Sequence, residues 1–139
     1  MTANTTPIFT LTANTPVGQT ITTANTAKDG TGTVVTVLTG GANGSLVGGI
    51  TIRPIGTNIA TVARIFLNNG STNATPTNNS LISEITLPAT TLSEVAAQPS
   101  ILWLPPITNY VIPSGYKLNV TIGTTVASGF ALAAIAADY

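Results

Sequence analysis

Acid–base chemistry in this chain has four carboxylates to draw on, Asp29, Glu84, Glu94 and Asp138. There is no His to act as an imidazole base or ligand. There is no Cys, hence no thiolate nucleophile, no thiolate metal site and no disulfide. Asp29 sits in Lys28-Asp29-Gly30-Thr31-Gly32, a turn by composition. Glu84 lies within a strand pattern, Glu94 in a short polar stretch, and Asp138 beside the C-terminus. A glycosidase needs two carboxylates facing one bond. Four scattered acids without a supporting charged shell do not make that pair, so we expect no catalytic residue and no enzyme.

Other chemistry fares no better. Lys28 to Thr33 has the glycines of a phosphate loop but lacks Gly-Lys-Ser/Thr, and a strand pattern follows instead of a helix. Calcium needs several oxygen ligands close together, and the acids are dispersed. We expect no metal and no cofactor. Asn-x-Ser/Thr occurs at Asn4, Asn43, Asn69, Asn73, Asn78 and Asn119, as a Thr- and Asn-rich chain produces by chance.

Charged residues make up 6% of the 139, four basic and four acidic, with zero net charge. An average domain carries about 25%. Without a basic excess, counterion-release binding to nucleic acid and docking on anionic membranes are both disfavoured. Zero net charge is poor for a free monomer and better suited to life inside an assembly. Met1 to Pro7 lacks the basic and apolar regions of an export signal. The longest apolar stretch, Phe130 to Ala137, is far below the roughly 20 residues of a membrane-spanning helix. The apolar fraction of 43% is enough for a core.

The elements that position these residues read as β. Thr-Ala-Asn-Thr occurs at Thr2–Thr5, Thr12–Thr15 and Thr23–Thr26, with Ile8 to Leu11 and Val17 to Ile21 between copies. Turn signals at that spacing mark an all-β chain. Thr33 to Thr39 is dense in β-branched residues. Ile59 to Leu67 places Ala63, Ile65 and Leu67 on one face, Arg64 and Phe66 on the other. Asn68 to Ser80 is a polar loop, and Ile82 to Leu87 resumes the strand pattern. Tyr116, Leu118, Val120 and Ile122 alternate with Lys117, Asn119 and Thr121, the cleanest period of two. Phe130 to Ala136 alternates with apolar partners, which predicts cover on both faces. Thr91 to Gln98 is the best helix candidate, opened by the capping spacing of Thr91 and Glu94 and closed by Pro99. Nine or ten short strands in one domain must form a sandwich or a barrel.

Trp103 lies in Ile101-Leu102-Trp103-Leu104-Pro105-Pro106, an extended apolar segment ended by prolines that cannot donate to a ladder. It reads either as an edge strand buried by another subunit or as core. Residues 1–26 carry no charged side chain, and Ile8, Phe9, Leu11, Val17 and Ile21 are too sparse for a core of their own. We expect this arm to pair with a neighbouring subunit or a larger assembly, and residues 27–139 to form the sandwich domain. Candidate interface residues are Ile8, Phe9, Leu11, Trp103, Leu104 and Tyr110.

From Lys28 onward the chain resembles a family of small virion proteins of tailed phages and prophages. The resemblance is carried by Lys28-Asp29-Gly30-Thr31-Gly32-Thr33-Val34, Gly41-Ala42-Asn43-Gly44-Ser45, Ala63-Arg64-Ile65-Phe66-Leu67, Leu104-Pro105, Ile112-Pro113-Ser114-Gly115-Tyr116-Lys117-Leu118 and the terminal Asp138-Tyr139. The family's small glycines before the terminal Asp-Tyr are Ala136 and Ala137 here. The resemblance implies an all-β, jelly-roll-like sandwich that decorates and stabilises a capsid. It also implies a homotrimer on the major capsid protein, assembled in the host cytoplasm. Thr/Asn surfaces and aromatics also bind glycans, so a receptor- or glycan-binding domain of a phage fibre or tail is the alternative.

Overall fold

A computed structural model describes residues 9–139. Ten strands form two antiparallel sheets that face each other across one core. They are β1 (Thr12–Asn14), β2 (Gln19–Ile21), β3 (Val35–Thr39), β4 (Ser45–Pro54), β5 (Thr61–Asn68), β6 (Asn79–Leu87), β7 (Ile101–Trp103), β8 (Val111–Ile112), β9 (Lys117–Ile122) and β10 (Phe130–Asp138). In the first sheet β10 and β4 are central. Both β1 and β2 pair with β10 on one edge, and both β7 and β8 pair with β4 on the other. The second sheet runs β3-β9-β5-β6.

The two edge pairs are each one strand with an excursion. Thr12–Asn14 and Gln19–Ile21 run along the same side of β10, interrupted where Pro16 removes a donor and Gly18 turns at φ +76°. Ile101–Trp103 and Val111–Ile112 run along the same side of β4, interrupted by a bulge of chain that starts Leu104-Pro105-Pro106. Counting each pair as one strand leaves eight, in sheet orders 1-8-3-6 and 2-7-4-5. Only β5 and β6 are joined within a sheet; every other connection crosses between the two.

Side-chain period fills the core as the sequence predicts in β9 and β10. Leu118, Val120 and Ile122 from one sheet meet Phe130, Leu132, Ala134 and Ala136 from the other. In β4 the phase has to be corrected. Val47, Ile50 and Ile52 are all buried, although 47 and 50 are an odd number of residues apart. The β10 register supplies the correction: Ile135 pairs with Gly49 and Ala136 with Val47, so Gly48 is an extra residue that swaps faces.

Four expectations are corrected. The segment 1–26 is not a separate arm over its described part, since β1 and β2 belong to the sheet of their own chain and Ile21 is in the core. Adding a strand to β10 satisfies backbone groups that would otherwise form an open edge. Thr91–Gln98 forms no helix; instead Ser93 Oγ accepts the N–H groups of Val95 and Ala96 in an isolated turn (3.2 and 3.0 Å). β6 begins at Asn79, earlier than Ile82, after a single 3-10 turn at Pro76–Asn78. Finally, among the described residues nothing covers the outer face of β10 at Ile135, which is half exposed.

Ile21 fills the core and Asn25 N–H donates to the Ile122 carbonyl (2.7 Å), so residues 9–26 are built into the fold. A chain lacking them should show no cooperative urea transition. Ile21→Ala in the full chain should cost about 2–5 kcal/mol in the same measurement.

Candidate interaction surface

Each carboxylate belongs to a local structural arrangement or an exposed loop. Asp29 Oδ1 accepts from the Thr31 N–H (3.0 Å) and Oγ1 (2.7 Å), and these bonds hold its pKa below the ordinary value. Glu84 accepts from Arg64 Nε at 2.7 Å. Asp138 accepts from Ser45 Oγ and from Asn14 Nδ2 (2.8 Å). Glu94 lies in the exposed turn after β6. Among the described residues no three acids gather into a metal-binding group.

Neutral amides do most of the internal polar work. Asn58 is buried and fully satisfied. Its Oδ1 accepts from Ser128 and Gly129 N–H (2.9 and 2.8 Å), and its Nδ2 donates to the Gly129 and Gly56 carbonyls (2.9 and 3.3 Å). On the outer side of the second sheet, Asn25 Nδ2 donates to the Thr31 and Thr33 carbonyls, both at 2.7 Å. Asn73 ties the same loop through the Gly30 and Gly32 carbonyls (3.1 and 2.8 Å), and Asn79 reaches the Asp29 carbonyl (3.1 Å). The Lys28–Thr33 turn is thereby fastened to the second sheet. Phe66, Asn119 and Thr121 are buried on that outer side, where alternation alone would leave them wet.

The first sheet presents the opposite character. Ala13, Ala137, Leu46 and Val111 form one cross-strand row on its outer side. Ala133, Thr51 and Leu102 form another. Leu102 and Leu104 lie over Gly49, where an added Cβ would stand 3.3 and 3.6 Å from their methyl groups. Leu104 and Ile107 share a groove with Leu46, and Phe9 and Leu11 share one with Val111 and Tyr139. Among the described residues Arg53 is the one charged side chain in these rows, opposite Ala131 at one end. Lys28, Asp29, Arg64, Glu84 and Lys117 belong to the second sheet's side. Four strand spacings by nine residues give a face of about 600 Å². The whole face, Thr20, Thr51 and Arg53 included, approaches one side of a standard interface.

Of the residues expected at an interface, Leu104 is 61% exposed, and Phe9 and Leu11 are exposed. Ile8 lies outside the described residues. Tyr110 is half buried against the core; its carbonyl accepts the Val47 N–H (2.8 Å), and burial raises its phenol pKa. Trp103 is corrected: at 4% exposure it packs in the core of its own chain. Strand alternation explains both results, because Trp103 points inward and Leu102 (54% exposed) and Leu104 point out. Leu102, Ile107, Val111 and Ile135 were missed. The signal for Leu102 was present in that same alternation.

No family model matches the chain, and searches of curated proteins and of solved structures found no match.

The hydrogen bonds from Ser45 and Asn14 hold the Asp138 carboxyl below its ordinary pKa of 3.8. A carboxyl depressed in the folded state stabilises the fold above the unfolded value and loses that contribution as pH falls through the folded one. Asp138→Asn should therefore lower stability at neutral pH and flatten its decline below about pH 4, read by urea unfolding across pH.

Proposed function

We propose that this protein is a structural virion protein of a tailed bacteriophage that decorates and stabilises the capsid. The observation that carries the reading is the nearly uncharged apolar outer face of the first sheet. Exposed Leu102, Leu104, Ile107, Val111 and Ile135 on one face have no use in a free monomer and need a protein partner to exclude water. Adjacent copies and the major capsid protein supply that partner, with a symmetric trimer as the assembled form.

Two further features support it. We read the strand orders 1-8-3-6 and 2-7-4-5 as a jelly roll, an architecture used in viral capsids and lectins. The segments that resemble phage virion proteins include β5 and the turn fastened by Asn25, Asn73 and Asn79, which are structural centres of the fold.

Leu104→Asp and Ile135→Asp change side chains that are 61% and 50% exposed, so both variants should fold. Each places a charge where desolvation leaves it unpaired, and capsid retention should fall by about tenfold or more. Co-sedimentation with capsids lacking the protein measures this, and unchanged retention in both variants would refute the reading. Mass-spectrometric counting on virions should give hundreds of copies; tens would identify a fibre or tail component instead.

A further inference from the structure

The second sheet ends in an edge that the fold leaves open. β6 has β5 on one side and, among the described residues, no strand on the other. The direction of its backbone groups follows from one bond. The Val62 carbonyl accepts the Gly123 N–H at 2.9 Å, so the backbone groups of Val62 point toward β9. By alternation those of Arg64 do the same. Thr86 and Glu84 are the β6 partners of Val62 and Arg64. Both pairs are therefore of the non-hydrogen-bonded kind, and the N–H and C=O of Thr86 and Glu84 face away from the sheet. Among the described residues no hydrogen bond reaches them.

Edges of this kind are normally blunted by Lys, Pro, a bulge or short length. Ser83–Leu87 contains no Lys or Pro. The extra residue of the β6 bulge, Ile82, lies before this stretch and Pro88 lies after it. The one charge, Glu84, is neutralised by Arg64 of its own chain. Ile82 and Ile85 are packed against the core but only partly buried, so the core is incompletely covered along this edge.

We propose that Ser83–Leu87 pairs antiparallel with the same segment of a second copy, across a two-fold axis at Ile85. The register follows from the residues. Centring on Ile85 sets Glu84 opposite Thr86 of the second copy, and Thr86 opposite its Glu84, as two hydrogen-bonded pairs. It sets Ile85 against Ile85 on the core side, covering the half-buried pair. Centring on Glu84 places like carboxylates face to face, which is destabilising. Centring on Thr86 sets Pro88, which has no N–H, opposite Glu84. Centring on Ser83 brings the bulged Ile82 opposite Glu84. This contact lies on the opposite sheet from the apolar face, so it stands or fails independently of the capsid reading.

The absence of Cys makes the register testable. In Ile85→Cys the lone thiol faces its twin at a Cβ separation of about 4.5–5.5 Å, which a small shift brings to disulfide distance. Mild oxidation should give about tenfold more disulfide dimer than Ser83→Cys, whose partner in this register is Leu87. Thr86→Pro keeps the ladder to β5, because the lost N–H faces outward, and removes two of the four intermolecular hydrogen bonds. Its self-association should be about tenfold weaker than wild type by sedimentation equilibrium. Equal cross-linking in the two Cys variants would overturn the proposal. So would sedimentation of Thr86→Pro identical to wild type, and that comparison decides alone if Ile85→Cys does not fold.

Discussion

β10 is hydrogen-bonded on both edges, with β4 along one side and the two N-terminal strands along the other. Its nine residues bring the start and the end of the chain into one sheet. They deliver Phe130, Leu132, Ala134 and Ala136 to the core, and they seat Asp138 where Ser45 and Asn14 can reach it. Without β10 the first sheet separates into unpaired N-terminal segments and β4 with its short partners. Such small sheets are marginal in water. The remaining structure is thus contingent on a pairing between residues more than a hundred positions apart, such as Ala13 with Ala137.

The shortage of charge is met by amides. Ionised groups buried under loops would require paired partners and a large desolvation cost, whereas an amide needs only its own hydrogen bonds. Asn58 shows the arrangement in full: two donors and two acceptor positions, each matched to a backbone group at the junction of the β5 and β10 approaches. Asn25, Asn73 and Asn79 do the same for the Lys28–Thr33 turn. The Arg64–Glu84 pair is the one salt bridge among the described residues, and it lies on the second sheet.

The two sheets therefore have outer sides of different kinds. The second carries the buried Phe66, the ion pair and a loop fastened by Asn25, Asn73 and Asn79. The first carries alanines, glycines and exposed leucine, isoleucine and valine. Lys28, Asp29, Arg64, Glu84 and Lys117 lie on the second sheet's side, and Arg53 at one end is the charged side chain on the outer side of the first among the described residues.

The sequence by itself determined the all-β class, through turn spacing and β-branched runs, and the inward residues of β9 and β10, through a period of two. Local chemistry was also enough to end strands at Pro16 and Pro105. It did not determine that Asn119 and Thr121 are buried, because a polar residue at an outward position gives no sign of a loop packed above it. Nor did it place β1 and β2 in their own sheet: a sparse apolar segment pairs with whatever edge is available, and that edge is built by residues 130–138. The location of the candidate surface was half legible. Leu104 and the inward turn of Trp103 follow from alternation, but whether an apolar outward residue is covered depends on which strands become neighbours. Only the tertiary structure decides that, since the bulges at Gly48 and Ile82 shift the phase of long-range pairs whose partners local sequence does not name.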